Sequence, residues 1–428
     1  MSLFALAFIV ACDASNQDTA VSQRPNILLV IADDMGLDAS PCHSVGNSPA
    51  SMPTLEALCA DGMVLETAYA APLCSPTRAM LMTGRYGFRT GVGTVIERRE
   101  PGLSSEEYSL FDAMGEAGYS SALVGKWHIS GQGDDDNHPE TLGVPEYYGL
   151  FSGSVSDYYS WTAVHNGLSM QVNQYTTSAL ADHAVDWLAG QDEPWFLWLA
   201  FNAPHSPFHL PPEGLHSQTE LSGSEADIRR NSGDYYRATL EALDTELGRV
   251  LDSLPADQRA NTVVLFMGDN GTPGKVAGDM YAERGAKGSI YEGGTHVPMV
   301  VSGPGVLAGR SADLVHTTDV FATLLELAGA AVPEVDGQSF VPVLSGQPGP
   351  RQSLYIEHFG EDDDPSTPMG WAMRDARYKL VAPDGLEQQL FDLEEDPYEV
   401  VDLLAGEPVQ QHSEKALELG ALYTALLE

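Results

Sequence analysis

The feature that most constrains the fold is a series of short, unbroken apolar runs that recur along the chain. They cover residues 27–31, 121–124, 195–201, 262–267 and 297–301. A segment that is apolar at consecutive positions is typical of a strand buried on both faces, as in a parallel sheet. The chain is therefore expected to build its core around such a sheet.

Helical patterns fill the gaps between these runs, over residues 106–117, 173–189, 234–254 and 318–327. Ser104 and Glu107 have the spacing of a capping box, which places the start of the first helix close to them. Strands that alternate with helices predict an α/β fold, with a central, mostly parallel or mixed sheet flanked by helices.

A domain boundary is expected near residues 342–351, where glycine, proline and serine cluster. Beyond it, short strand-like pieces at 354–357, 370–374, 378–381 and 389–392 predict a small antiparallel sheet, and a helix is expected over 413–427. We therefore expect a leader and linker over residues 1–23, a large catalytic domain over 24–345 and a small C-terminal subdomain over 350–428.

The first residues are typical of an export signal. A short apolar run over residues 3–10 precedes Ala11 and Cys12, and it is shorter than the roughly 20 apolar residues that span a bilayer. Its end resembles a bacterial lipoprotein signal, in which the cysteine carries lipid. No basic residue precedes the run, so an ordinary signal peptide and a disordered tail stay open. We expect a protein that is periplasmic or anchored to the membrane through Cys12.

The remaining cysteines are Cys42, Cys59 and Cys74. If Cys12 carries lipid and Cys74 is catalytic, Cys42 and Cys59 are left either as a disulfide, which an exported location permits, or as two buried thiols.

The balance of charge restricts the partners. The chain has 61 acidic residues against 21 basic ones, and its formal net charge is −40. Such a surface repels nucleic acid and anionic membranes, which excludes both as binding partners. It also repels anionic substrates, so a site for an anion must gather its own basic residues.

Acidic pairs follow two of the predicted strands, at the carboxyl ends where open α/β sheets bind ligands. Asp33-Asp34 follows the first strand, and Asp269-Asn270 follows the strand at 262–267. Their side chains offer only oxygen ligands, which suit a hard cation such as Ca²⁺ or Mg²⁺. Either pair alone is explained by a turn, but two pairs placed directly after buried strands favour a metal site.

Cys74 begins a segment in which Pro76 suits the first turn of a helix and Arg78 lies four residues on. A helix starting here would hold Cys74 at the positive end of its dipole and Arg78 on the same face. The residues alone leave open a buried structural cysteine that caps the helix and a Cys–His nucleophile.

The pattern Cys-x-Pro-x-Arg, followed by Leu-x-Thr-Gly-Arg, resembles the signature of the type I sulfatases of the alkaline phosphatase superfamily. Further blocks occur in the family's order, at 24–34, 125–128, 203–205, 268–271, 287–294 and 373–397. Single blocks are weak, but the ordered set is specific and covers the chain from about residue 24 to its end. The resemblance implies an alkaline phosphatase-like large domain and a small C-terminal subdomain.

The resemblance also implies a maturation step and a metal centre. A formylglycine-generating enzyme would oxidise Cys74 to an aldehyde, which hydrates to a geminal diol and attacks the sulfur of a sulfate ester. The implied cation is Ca²⁺, with Mg²⁺ as the alternative, and its ligands would be Asp33, Asp34, Asp269, Asn270 and the modified residue 74.

The implied catalytic side chains surround this centre. Arg78 and Lys126 would stabilise the ionised diol, and His128 would deprotonate its second hydroxyl so that sulfate leaves. Lys287 and His205 would hold the sulfate oxygens and protonate the leaving group.

We therefore expect a sulfatase that acts on a sulfated carbohydrate or an aryl sulfate. A phosphonate monoester or phosphodiester hydrolase shares the Cys-x-Pro-x-Arg core, and a non-catalytic glycan-binding relative is a further alternative. His296 stands where many relatives have arginine, which we interpret as a structural or substrate-side difference. Residues 157–159 and 166–167 resemble a family segment near the substrate entrance.

Overall fold

The computed structural model describes residues 24–46, 48–97, 101–131, 136–192, 194–360 and 369–428. The predicted leader and the proposed lipid site at Cys12 lie outside the described residues. Within these ranges, none of the helices combines the length and the apolarity needed to cross a bilayer.

The first strand of the described residues, β1 (Asn26–Ala32), is buried at all seven positions and lies inside a ten-stranded sheet. The other strands of that sheet are β2 (Met63–Tyr69), β3 (Ser120–Gly125), β4 (Tyr147–Gly149), β5 (Trp161–His165), β6 (Leu168–Val172), β7 (Trp195–Phe201), β8 (Thr262–Gly268), β9 (Met299–Ser302) and β10 (Gly309–His316).

The spatial order of the ten strands is β10-β2-β9-β8-β1-β7-β3-β4-β5-β6. The five strands from β8 to β4 run parallel to one another, whereas β9 is antiparallel to both of its neighbours and β5 and β6 form an antiparallel edge. The predicted α/β fold with a mostly parallel or mixed sheet is confirmed. The strand predicted over 297–301 begins later, at Met299, because Pro298 has no N–H to donate to the ladder.

The helices in chain order are α1 (Pro53–Asp61), α2 (Cys74–Thr83), α3 (Gly87–Thr90), α4 (Leu110–Glu116), α5 (His138–Thr141), α6 (Thr176–Leu188), α7 (Glu225–Arg230), α8 (Ser232–Asp252), α9 (Ala256–Ala260), α10 (Glu292–Thr295), α11 (Thr317–Leu327), α12 (Val341–Leu344) and α13 (Gln410–Leu427). Two single turns of 3-10 helix cover Leu37–Ala39 and Asp279–Tyr281.

Helices cover both faces of the centre of the large sheet, so the central strands β1, β7 and β8 are buried at every position. Along β1, Leu29 faces a core completed by α2, α4 and α11, while Leu28 faces a second core completed by α1, α6 and α8. Successive side chains of a strand point to opposite faces, which is why an unbroken apolar run is needed here. Each fully buried leucine contributes about 1.5–3 kcal/mol to the stability of the fold.

The start of the helix predicted over residues 106–117 is wrong. The helix α4 begins at Leu110, and its capping box joins Ser109 to Asp112 through two 3.0 Å hydrogen bonds. Glu107 is not available to cap a helix, because its carboxylate binds Arg85 at 2.6 Å.

The second sheet contains four antiparallel strands in sequence order, β11 (Leu354–His358), β12 (Gly370–Arg374), β13 (Tyr378–Pro383) and β14 (Gln389–Asp392). The helix α13 covers one face of it, where Tyr423 stacks on Trp371 with 3.8 Å between ring centres. The predicted small antiparallel sheet with a final helix is thus confirmed, while the domain limits at 24–345 and 350–428 stay a prediction.

The sequence leaves Cys42 and Cys59 either as a disulfide or as two buried thiols, and the structure contains the disulfide. Cys42 is joined to Cys59 of α1, which ties the loop after β1 to the helix beneath it. Cys74 is a free, buried thiol.

Candidate active site

The parallel strands bring the predicted site residues together at one edge of the sheet. The register pairs Ala32, the last residue of β1, with Phe201 on one side and Gly268 on the other. The residues that follow these strands therefore meet at the same level. Backbone hydrogen bonds continue beyond the strands, since the N–H of Asp33 donates to Ala203 O at 3.1 Å.

Asp34 has a left-handed backbone with a φ of 73°, which is uncommon for a residue with a side chain. Two bonds hold it there: its N–H donates to Asp269 Oδ1 at 3.0 Å, and its carbonyl accepts from the Tyr236 hydroxyl at 2.7 Å. Such conformations cost about 1–3 kcal/mol and persist only where the surroundings enforce them. The turn thereby sends two successive carboxylates, Asp33 and Asp34, into the site.

Two buried oxygen atoms in the site have no hydrogen-bond partner among the described residues, Asp33 Oδ1 and Asn270 Oδ1. Both side chains are fully buried, and an unpaired buried acceptor costs about 1–3 kcal/mol. A carboxylate oxygen of Asp33, one of Asp269 and the sulfur of Cys74 lie within 4.8 Å of one another. This oxygen-rich donor set fits a hard divalent cation.

Basic side chains pair with the carboxylates from the other side. Arg78 binds Asp269 at 2.7 Å and donates to the carbonyl of Lys126 at 2.8 Å, while the Lys126 ammonium lies 2.6 Å from Asp33. Lys287 lies 2.5 Å from Asp34. Because three carboxylates are matched by three basic groups, a divalent cation would leave a net positive site, which an anion could neutralise.

The environment of the two histidines favours their neutral forms. Burial lowers the pKa of His205 to about 4, although Asp34, 3.7 Å away, opposes the shift. Burial and the neighbouring Lys126 lower the pKa of His128 well below its usual value. The buried Nδ1 of His128 has no partner among the described residues, so it is free to accept or donate a proton.

Cys74 does not have the properties of a thiolate nucleophile. Burial raises the pKa of its thiol to about 11, although Lys126 and Lys287 oppose the shift. The helix α2 begins at Cys74 as expected, and the positive end of its dipole favours a charged sulfur, which opposes the effect of burial.

Two residues that support the site carried no recognisable signal in the sequence. Thr77 donates from Oγ1 to the carbonyl of Asp269 at 2.6 Å and accepts from the N–H of Ala71 at 3.1 Å, which fixes the start of α2 to the end of β8. Tyr236 reaches Asp34 from the middle of α8. Both contacts depend on tertiary packing, which no local pattern reveals.

His296 lies away from these side chains. Its ring contacts the carboxylate of Glu292 at 3.0 Å, the carbonyl of Glu66 at 2.8 Å and the ring of Tyr69. Tyr158, in the segment expected near the entrance, donates to the carbonyl of His205 at 2.6 Å and so positions that residue.

Two family profiles match the chain. The profile "Sulfatase" matches residues 25–330, and the profile "N-sulphoglucosamine sulphohydrolase, C-terminal" matches residues 285–420. The first covers more than half of the chain and includes every candidate site residue.

Characterised and solved proteins are similar over most of the chain. Arylsulfatase J of Mus musculus is 30% identical over 78% of this chain, and the match covers 58% of that relative's own length. A sulfatase of Formosa agariphila is 30% identical over 97% of this chain and 91% of its own length. The crystal structure of Ps i-CgsB in complex with k-i-k-neocarrahexaose is 28% identical, has a TM-score of 0.80 and covers 94% of this chain and 93% of that chain.

Proposed function

Because the chain belongs to the sulfatase family, a family of sulfuric ester hydrolases within the alkaline phosphatase superfamily, we propose that it hydrolyses sulfate esters with a formylglycine made from Cys74. The observation that carries the proposal is a pair of buried oxygens, on Asp33 and Asn270, that have no hydrogen-bond partner among the described residues, with Asp33 beside Cys74 and paired with basic side chains. This arrangement suits a divalent cation and an anionic group next to residue 74.

The proposed cation ligands are Asp33, Asp34, Asp269, Asn270 and the modified residue 74. Bound there, Ca²⁺ or Mg²⁺ would polarise sulfate oxygens and favour ionisation of a hydroxyl on residue 74. A hydrated aldehyde supplies two hydroxyls on one carbon, one to attack sulfur and a second whose deprotonation releases sulfate, which a thiol or a single hydroxyl lacks.

Arg78 and Lys126 are proposed to stabilise negative charge on residue 74. Each is anchored by a carboxylate, Arg78 by Asp269 and Lys126 by Asp33, so their orientation is set before substrate binds. The buried Nε of Arg78 has no partner among the described residues and is available to an oxygen.

The remaining three groups are proposed to handle protons and the sulfate. The lowered pKa of His128 favours its neutral form, which can accept a proton from the second hydroxyl. Although burial alone would lower the pKa of Lys287, Asp34 raises it, so this ammonium stays charged and can hold sulfate. His205 is neutral without substrate, and the charge of an incoming sulfate would raise its pKa towards that of a proton donor.

The proposed substrate class is a sulfated carbohydrate. One similar structure, at 28% identity, is a complex with k-i-k-neocarrahexaose, and one relative is an N-acetylgalactosamine-6-sulfatase of Canis lupus familiaris at 32% identity. An aryl sulfate remains the simplest reporter substrate for the same chemistry.

The test combines mass spectrometry with turnover. The protein, produced together with a formylglycine-generating enzyme, is digested, and the peptide containing residue 74 is weighed. We expect formylglycine in the active enzyme, Ca²⁺- or Mg²⁺-dependent desulfation of an aryl sulfate and of members of a sulfated glycan panel, and no turnover by Cys74→Ala. Full activity with an unmodified Cys74 would refute the mechanism.

A parallel assay addresses the alternative activity. Phosphodiester and phosphonate monoester substrates are offered to the same matured enzyme. A much higher kcat/KM on these than on the sulfates would assign the chain to that chemistry instead. Glycan binding without any turnover by matured protein would favour a non-catalytic role.

We propose that the protein is exported and held at a bacterial membrane through lipid on Cys12. The Cys42–Cys59 disulfide supports export, since disulfides persist mainly in oxidising compartments. Expression in a bacterial host should place the protein in the membrane fraction, and Cys12→Ser should release it. An unchanged distribution of the Cys12→Ser variant would contradict the lipid anchor.

A further inference from the structure

A second cluster of metal-ligating side chains lies outside the proposed active site. Glu146 precedes β4, His165 ends β5 and His183 lies in α6. One carboxylate oxygen of Glu146 lies 3.0 Å from Nε2 of His165 and 2.9 Å from Nε2 of His183. The three ligand atoms all lie within 4.8 Å of one another, and each side chain is partly exposed, so ions can reach them.

Surrounding residues hold the three side chains in place. Asn166 donates to the second oxygen of Glu146 at 2.8 Å, and its own side-chain oxygen accepts from the N–H of Tyr147 at 2.7 Å. The ring of His183 stacks on Tyr148 at 4.2 Å. Such supporting contacts orient metal ligands and lower the entropy lost when an ion binds.

The charge of the molecule also suits a cation. The net charge of −40 raises the local concentration of cations near the surface, where the partly exposed cluster lies.

We propose that Glu146, His165 and His183 bind a divalent transition metal ion of the zinc class. Two imidazole nitrogens and one carboxylate oxygen form a three-ligand set that leaves a position for water. With bonds of 2.0–2.1 Å at tetrahedral angles, ligand atoms stand about 3.3 Å apart. The observed 2.9 and 3.0 Å N···O separations are a few tenths of an ångström shorter than this, and the two histidine nitrogens lie within 4.8 Å of each other, so modest shifts of the side chains exchange the two N–H···O bonds for metal bonds.

The ligand types separate this site from the proposed active site. Imidazole nitrogen favours zinc, copper or nickel over calcium and magnesium, whereas the active-site donors are mainly oxygens. The carbonyl of Glu146 accepts from the N–H of Leu123, which lies on β3. Leu123 is three residues before Lys126 of the active site, a distance of roughly 10 Å along an extended strand. A bound ion would cross-link β5, α6 and the start of β4, and it would stabilise this edge of the sheet.

The test is a zinc titration of the full-length, untagged chain in competition with a chromogenic chelator. The titration is made in excess Ca²⁺ and in a Cys74→Ala background, so that neither the oxygen ligands nor the thiol of the active site takes up zinc. We expect one Zn²⁺ per chain at the cluster, and a higher Tm with zinc. The double variant His165→Ala/His183→Ala should lose this binding by about 100-fold or more, since even supporting contacts are worth 10–100-fold.

A matched control removes two histidines elsewhere, His216→Ala/His412→Ala, and should keep the zinc binding intact. Glu146→Gln keeps the size of the side chain and one oxygen that can accept from the two histidines, but it loses the negative charge and the acceptor for Asn166, so it should bind zinc more weakly. Co²⁺ should give the visible bands of a low-coordinate site in the parent and not in the cluster variants. The proposal is overturned if the parent takes up no zinc at micromolar concentration, or if the cluster variants titrate like the parent.

Discussion

The side chains of the candidate active site are held by direct pairs between opposite charges, each buried and each anchored on a different element. Arg78 from α2 meets Asp269 after β8, and Lys126 after β3 meets Asp33 after β1. Breaking one buried pair leaves its partner charged and unpaired, which typically costs 3–5 kcal/mol. A substitution here therefore has to keep the charge if its effect on chemistry is to be separated from its effect on folding.

Arg78→Lys is such a substitution. Lysine keeps the positive charge but cannot reach both Asp269 and the carbonyl of Lys126, because it lacks the guanidinium fork that makes these contacts at 2.7 and 2.8 Å. We expect kcat/KM for an aryl sulfate to fall about 10²–10³-fold, as when one preorganised donor is removed. The control Arg377→Lys alters an exposed pair with Asp392 and should leave activity unchanged. Wild-type activity of Arg78→Lys would remove this residue from the proposed machinery.

Tyr236→Phe tests the support of the left-handed Asp34. The phenylalanine keeps the buried ring and removes only the hydroxyl that donates to the Asp34 carbonyl at 2.7 Å. We expect the Ca²⁺ concentration for half-maximal activity to rise about 10-fold or more, with a smaller change in activity at saturating Ca²⁺. Tyr235→Phe is the matched control, since its hydroxyl binds Asp227 instead. Equal metal dependence in the two variants would show that the hydroxyl plays no part.

At the scale of elements, the sequence predicts what depends on local periodicity and misses what depends on partners. The strand Trp195–Phe201 is predicted with its observed limits because its apolar run is unbroken. The start of α4 is misplaced because Glu107 binds Arg85, a residue distant in sequence. The site residues could be proposed together because parallel strands end at one edge, whereas Thr77 and Tyr236 support them through contacts that only packing creates.

The buried carboxyl of Glu357, on β11 and next to α3, should make the stability of the fold depend on pH. Burial raises the pKa of Glu357 to about 7, although the N–H of Phe88 donates to it at 3.1 Å. A raised pKa means that the folded state binds the proton more tightly than the unfolded chain. The contribution of this group to the free energy of unfolding is therefore fully present below pH about 4.5. It is lost as the pH rises through 7, and the loss amounts to roughly 3 kcal/mol at most.

Glu357→Gln removes this titration and keeps an oxygen that can accept the same hydrogen bond. We expect the variant to be more stable than wild type in urea unfolding at pH 8 and similar to it near pH 4.5. Equal stabilities at both values would show that the carboxyl does not change protonation on unfolding.

For the whole molecule, the small sheet supports the loop that carries two of the proposed metal ligands, Asp269 and Asn270. Lys379 of β13 is fully buried and lies 2.9 Å from Glu292 and 3.0 Å from Glu399. Glu292 starts α10, and the carbonyl of the nearby Gly294 accepts from the N–H of Gly271, next to Asn270. A side chain at Gly271 would meet the carbonyl of Gly293 at 2.0 Å, so this close approach requires glycine. The C-terminal region thus supports the geometry of the site without contributing a candidate ligand.

The net charge of −40 acts on substrates over a longer range than the basic side chains of the site. A sulfated oligosaccharide carries many negative charges and is repelled as it approaches, whereas a monoanionic aryl sulfate is repelled much less. Salt shortens the range of this repulsion, to about 10 Å at 0.1 M. We therefore expect the KM for the oligosaccharide to fall several-fold between roughly 0.01 M and 0.15 M NaCl, while the KM for the aryl sulfate and both kcat values change little. The opposite result, a KM for the oligosaccharide that rises with salt, would show that the field of Arg78, Lys126 and Lys287 dominates the approach of the substrate.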